Sequence, residues 1–428
     1  MKGPLHRRAV LVICDGLRRD LITPELCPEL TRLRARSRRF ERHRSVFPSV
    51  TRSASASIAT GCHPARHGLH GTTMALPAGN GYAVHNVGEP SFVDELRAAT
   101  GRTLRVPTLA ERVRSHGGAV VFSNVSPGAA YFQDPDGHGH VYHRAGSFAP
   151  GRTRVASGDH LGVSHDAEGD ARMTDRFCAE VLEKRRPSLA VLWLCEPDHT
   201  QHDSALGSPE HRAAVRAADR CVGRVIETVD RLHGDGEEIL LLVGSDHGHE
   251  TITEIVAVER EVHLAGLKSQ LDSTDVVVAP QGTSALVYFS ADALDRVDAV
   301  AGFLRTRPWA GEVVVGDALA RLGMQPSGGL RIAVSMAKRA GQNPHGIPGL
   351  SVTAVRFDPN PAKIGCGQHG GLGEHEQQPF LFASGGGFCA GSHCEQPTSI
   401  LDIAPTTLRH LGVSAASGSF DGAALTRA

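Results

Sequence analysis

The chain has 428 residues, 40% of them hydrophobic, with 45 basic and 46 acidic side chains and a formal net charge of −1. That length suits one large domain with an insertion, or two domains, and the apolar share is ample for a core. The balanced charge argues against an electrostatic binder of nucleic-acid polymers or membrane surfaces. No stretch approaches the roughly 20 apolar residues of a membrane helix. The N-terminal apolar run is too short for a signal sequence and lacks a cleavage site. A soluble cytoplasmic protein is therefore expected. Nine cysteines without a C-x-x-C pair show no disulfide framework. Histidine is the unusual count, at 24, and several stand beside Asp, which makes metal ligation the chemistry to test.

Ala9–Cys14 (AVLVIC) is a continuous apolar run ending in Asp15-Gly16, the pattern of a buried parallel strand. The Arg-rich stretch from Arg32 to Arg44 has apolar residues spaced for a helix and reads as a solvated helix face. A small-residue run opens at Thr51 and ends in Thr60-Gly61. Gly79–Gly88 reads as a loop. A helix over Thr108–His116 precedes a strand near Ala119–Phe122. Ser126–Gly169 is a Gly- and His-rich loop, and a helix follows over Asp170–Lys184. Strand Leu189–Leu194 leads into Cys195-Glu196-Pro197-Asp198. After a long helix over Pro209–Leu232, strand Ile239–Val243 leads into Gly244-Ser245-Asp246-His247. Short strands at Val276–Val278, Ala285–Phe289, Val313–Val315 and Ile332–Ser335, with a helix over Asp292–Arg305, predict a small α+β cap over 266–345. It is inserted into a core made of 1–265 and 346–428. Strand Pro379–Ala383 and helix Asp402–Leu411 close the chain. The alternation predicts an α/β fold, a doubly wound and mostly parallel sheet with helices on both faces.

In open α/β sheets ligands bind at the carboxyl ends of the strands, and three strands here end in carboxylates. Asp15, Asp198 and Asp246 are joined by His202, His247, His369 and the hydroxyl of Thr51. Asp198 and His202 stand four apart and share one face of a helical turn. Three carboxylates and three imidazoles suit two divalent ions. Zinc takes mixed N/O ligands, and an ion pair about 4 Å apart can hold both the entering and leaving oxygens of an in-line displacement. A competing signal, CHPAR over Cys62–Arg66, has the C-x-P-x-R form of sulfatases that convert cysteine to formylglycine.

The ordered motifs are I-x-D-G at Ile13–Gly16, T-x9-G at Thr51–Gly61, E-P-D-x-x-x-H at Glu196–His202, S-D-H-G at Ser245–Gly248 and G-x-H-G at Gly367–Gly370. This set resembles the alkaline phosphatase superfamily, and looks most like its nucleotide pyrophosphatase/phosphodiesterase branch. The likeness runs from Ala9 to the closing ILDIAPTTLRHLGV. It implies a nucleophile ten residues before Gly61, which is Thr51. Cys62 falls after the T-G pair, out of register for formylglycine, and reads as a turn. The resemblance further implies one ion on Asp15, Thr51, Asp246 and His247, and another on Asp198, His202 and His369. The ions would be Zn2+, with Mn2+ or Fe coordinated similarly. Thr51 would attack phosphorus to form a phosphothreonine that water then cleaves.

One departure bears on the substrate. Branch members carry Asn three residues after the nucleophile, where this chain has Ala54. Arg52, Ser53 or Ser55 would have to supply the missing donor, and Arg52 is taken as the second catalytic candidate. The leading reading is a phosphodiesterase or nucleotide pyrophosphatase acting on a small-molecule phosphoester. The alternatives are a phosphomonoesterase, a phosphonate hydrolase, or a metal-binding protein without catalysis. Glu374 and His375 are read as orienting His369 or lying on the surface. His138, His140 and His143 are read as a polar loop. His67 and His249 flank motifs without an assigned ion.

Overall fold

The computed structural model describes residues 7–357 and 360–428, so the first six residues of the 1–265 segment lie outside it. The main sheet has ten strands. Five central ones are parallel, in the spatial order Glu238–Gly244, Arg7–Cys14, Leu189–Leu194, Ala119–Ser123 and His140–Tyr142. These are the apolar runs, because strands covered on both faces can be continuously hydrophobic. Leu381–Gly385 joins them antiparallel to Glu238–Gly244.

Alternate residues of the first strand enter two separate cores. Ala9, Leu11 and Ile13 pack with Ala54, Ile58 and Leu408 on one face. Val10, Val12 and Cys14 pack with Leu30, Met173 and Val222 on the other. Helices Thr51–Thr60 and Ile403–Leu411 cover the first face, and Pro28–Arg36, Ala167–Arg176 and Pro209–Gly234 the second. The sheet is doubly wound, as expected. The helix expected over Asp170–Lys184 begins at Ala167 and widens into a π-helix over Phe177–Arg185.

The Arg-rich stretch differs from its reading. Its helix ends at Arg36, and Ser37 is extended (φ −114°, ψ 169°). Arg38–Arg44 is a strand, antiparallel to Leu381–Gly385 and parallel to His393–Ser399. Phe40 and His43 are buried while their neighbours meet solvent, so charged side chains conceal a paired strand. Gly79–Gly88 is likewise no plain loop: Thr73–Ala78 and Gly81–Asn86 form a hairpin. Ser126–Gly169 contains helix Pro127–Tyr131 and three short strands that extend the main sheet.

Within 266–345, strands Val276–Pro280, Ser284–Phe289, Leu330–Met336 and Ala310–Val315 form an antiparallel sheet. Helix Val297–Arg305 covers one face through Val300, Ala301 and Leu304. The Thr73–Asn86 hairpin covers the other through Ala75, Tyr82 and Val84. A third sheet matters for the site. In it Glu250–Ala257 pairs with Gly367–Gln368, Glu250 opposite Gln368. Among the described residues no helix is long and apolar enough to cross a membrane.

Candidate active site

The register of the parallel strands brings three loop starts together. Ile13 lies opposite both Trp193 and Gly244, so Asp15, the 195–198 turn and Asp246 leave the sheet at one level. Trp193 Nε1 donates to Asp15 Oδ2 at 3.0 Å, and Gly16 N donates to Asp246 Oδ1 at 3.2 Å. Gly16 has φ +65°, and a Cβ there would lie 2.8 Å from His249 Nε2. Only glycine lets the first strand turn under the histidines. The pairing of Glu250 with Gln368 then carries His369 against His247, their rings stacked at 3.7 Å.

Thr51 is the first residue of helix Thr51–Thr60, where the helix dipole favours an anion. Its Oγ1 is 3.1 Å from His247 Nε2 and 3.4 Å from Asp15 Oδ1. His247 Nε2 is 3.4 Å from Asp15 Oδ1 and 3.1 Å from Asp246 Oδ2. Donors on one tetrahedral ion lie about 3.3 Å apart when each bond is about 2.0–2.1 Å. Thr51, Asp15 and His247 therefore have the mutual spacing of ligands and Asp246 adjoins them through His247, while a donor of Asp198 lies within 4.8 Å of donors on Asp15 and His247.

The second group is Asp198, His202, His249 and His369, whose donor atoms lie within 4.8 Å of one another. Asp198 and His202 sit on the single turn Asp198–Gln201 and its cap. His202 Nε2 is 3.4 Å from Asp198 Oδ2, and His369 Nε2 is 3.4 Å from Oδ1. His249 Nε2 is only 2.6 Å from Asp198 Oδ1. That is a hydrogen-bond length and shorter than the edge between two ligands of one ion. His249 thus orients Asp198, while Asp198, His202 and His369 carry the ligand spacing. His369 Nδ1 is fixed by the carbonyl of Ser49 at 2.8 Å.

The electrostatics fit a cationic occupant. Burial, then the charges of Asp246 and Asp198, pushes the Asp15 carboxyl well above its usual range. Burial, then His247 and His249, holds His369 well below the usual imidazole value. Burial also opposes ionisation of Asp198, but His202 and His249 outweigh it and hold that carboxyl low. Asp246 Oδ2 is buried without a hydrogen-bond partner among the described residues. Two buried carboxylates, a third partly buried one at Asp198, and an imidazole held neutral at His369 are a donor set for divalent cations.

Residues 9–305 match the family model described as type I phosphodiesterase / nucleotide pyrophosphatase. The chain belongs to this family. It is 41% identical over 64 residues to human ectonucleotide pyrophosphatase/phosphodiesterase family member 7, an alignment spanning 15% of this chain and 14% of that protein's length. Among solved structures it resembles murine ectonucleotide pyrophosphatase/phosphodiesterase 5, at TM-score 0.68 and 17% identity over 97% of each chain. The same murine protein in an inactive variant complexed with AMP matches at TM-score 0.69 and 18% identity, again over 97% of each chain.

Ala54 is fully buried in the sheet-facing core. Ser53 Oγ donates to Pro48 O and Ser55 Oγ to Ala129 O, and neither is free. Arg52 alone of the three lines the cleft beside Asp15 and Thr51. Cys62 is buried with its Sγ against Thr60 O and Ser419 O. His67 bonds Ser57. His375 approaches Asp20 at 3.9 Å, and the Ser49 carbonyl takes the orienting role expected of Glu374 and His375. His138 and His140 line a separate cleft with Arg114 and Arg185, whereas His143 Nε2 bonds Val125 O at the active-site wall. His249, expected to flank the motif without an ion of its own and at most to support the ligands, bonds Asp198. Its signal was spacing: extended residues two apart share a side, and His249 follows His247 by two.

Proposed function

We propose that the chain is a two-ion phosphoric ester hydrolase with Thr51 as nucleophile, cleaving a phosphodiester or nucleotide-type pyrophosphate bond. The observation that carries this is the position of Thr51 Oγ1, at a helix N-terminus and 3.1 Å from His247 Nε2. Asp15, Thr51, Asp246 and His247 would hold one ion and Asp198, His202 and His369 the other. Bound Zn2+, or Mn2+ or Fe, would supply charge stabilisation to the oxygens on phosphorus and ease ionisation of the threonine. Thr51 Oγ1 forms a bond to phosphorus as the bond to the leaving oxygen breaks, and the threonine proton ends on the departing alcohol. Water then attacks the phosphothreonine, releasing the phosphorylated product and restoring the hydroxyl. Arg52 is the cation placed to meet the non-bridging oxygens. The inactive threonine-to-alanine variant of the murine relative, complexed with AMP, supports both a threonine nucleophile and a nucleotide-class ligand.

We read 266–345 as a cap on the core of 1–265 and 346–428, and Arg52 and all seven candidate ligands belong to the core. A phosphomonoesterase reading rests on Arg52, whose charge would suit a dianion. Thr51→Ala should abolish hydrolysis of a nitrophenyl phosphodiester while metal content stays at the wild-type level. Near-native turnover in that variant would remove the nucleophile assignment. A metal-loaded wild-type chain inert on every phosphoester would favour the non-catalytic alternative.

A further inference from the structure

The cleft above Thr51 has a volume of about 140 Å3. Pockets that enclose a drug-sized ligand, the size class of a nucleotide, run from roughly 300 to 1,000 Å3. Two cations would occupy part of what space there is. Arg52, Ser126, His165 and His199 are among the residues that line it. No Phe, Tyr or Trp lines it among the described residues. The two imidazoles pack on each other with ring centroids 4.1 Å apart, so their inner faces are already used. A nucleobase would find no Phe, Tyr or Trp face in this cleft.

The polar atoms point elsewhere. Arg52 Nη1 reaches Thr72 Oγ1 at 3.3 Å, while Arg52 Nε and Ser126 Oγ are buried without partners among the described residues. Buried polar atoms are ordinarily hydrogen-bonded, so two unpaired ones on residues lining one cleft mark a place for a ligand's oxygens. The lining beside Ser126 is fixed. Arg144 Nη1 donates to Asn124 O and Val125 O at 2.6 and 2.8 Å, and His143 bonds the same Val125 carbonyl. Burial lowers His165 to about 4, so it stands as a neutral wall rather than a second cation.

We propose that this cleft encloses only the phosphoryl group and a polar substituent of a few heavy atoms. The specific substrates are then small, non-nucleoside phosphoesters whose oxygens are read by Arg52 and Ser126. This rests on the Thr51 reading above and narrows it: a nucleotide can be cleaved, but its nucleoside lies outside the cleft and adds little.

The test compares two esters with the same nitrophenolate leaving group, methyl p-nitrophenyl phosphate and thymidine 5′-p-nitrophenyl phosphate, on the metal-loaded full chain. The kcat/KM values should lie within about tenfold, since the base stacking worth about 1–3 kcal/mol elsewhere is missing here. Preference for the thymidyl ester by more than about 30-fold, roughly 2 kcal/mol, would overturn the proposal and leave the Thr51 mechanism standing. Inertness toward both would overturn the mechanism itself. Calorimetry supplies a reading independent of turnover: methyl phosphate and AMP should bind within about tenfold of each other, a difference of about 1.4 kcal/mol. Ser126→Ala should weaken methyl phosphate binding about tenfold, as loss of one hydrogen bond to a charged group does, with metal content unchanged. Unaltered binding in that variant would remove Ser126 from the site.

Discussion

Asp170 is the residue on which the second half of the site most depends without touching it. It is 1% exposed on helix Ala167–Arg176. It accepts from Asn124 Nδ2 at 3.0 Å, Cys195 N at 3.2 Å and Glu196 N at 3.0 Å. Glu196 in turn accepts from Thr200 N and Oγ1, which sets the turn bearing Asp198 and His202. Asp170→Ala strands the buried N–H groups of Cys195 and Glu196 at about 1–3 kcal/mol each, while Asn124 Nδ2 keeps its bond to Ser164 O. Allowing for partial relaxation, the loss should be about 3–5 kcal/mol at pH 5, read from urea unfolding of chelator-treated protein. Metal affinity should fall with it, because the donor spacing at Asp198 is no longer held. Burial raises the Asp170 carboxyl to about 7, against about 3.9 in the unfolded chain. The unfolded chain therefore releases its proton first. Wild-type stability is lost as pH rises through that window, and the gap to the variant should narrow by about 2–3 kcal/mol between pH 5 and 7. A loss below about 1 kcal/mol with wild-type metal binding would refute the clamp. A gap independent of pH would refute the buried ionisation.

Three further outcomes follow from the donor geometry. His249→Ala should lower affinity for the ion at Asp198, His202 and His369 by about 10–100-fold, the usual cost of losing an orienting partner, and unchanged titrations would end that role. Asp246→Asn and His369→Ala should each reduce metal content as well as rate; full stoichiometry in both would remove the ligand assignment. Chelation should abolish hydrolysis and lower the melting temperature, and added zinc at about 1,000 times its Kd should restore about 4 kcal/mol. An unmoved melting temperature would show that the cluster binds no ion in the native state.

The strand-end carboxylates were legible because strands buried on both faces are unbroken apolar runs, and the residue that ends such a run stands out. The motif order then supplied Thr51, His202 and His369. What brings His369 to His247 was not legible, since Gly367–Gln368 is a two-residue strand too short to leave a pattern. Arg38–Arg44 hid because its paired backbone carries mostly charged side chains. Asp170, Ser126 and His165 gain their roles only through tertiary contact, each from a segment whose own pattern reads as helix or loop.

The division between legible and illegible residues matches a division of labour in the fold. Asp15, Asp198 and Asp246 leave adjacent parallel strands at a level fixed by hydrogen-bond register, so their spacing follows from the sheet itself. The walls come from elsewhere: Ser126 and His165 from the long segment between two strands, and His199 from the turn after Pro197. Such connections vary without disturbing the register beneath them. Membership of the phosphodiesterase family therefore speaks to the bond that is attacked and the groups that attack it. The group that the cleft admits is decided by walls the family pattern does not specify, and here those walls stand close together.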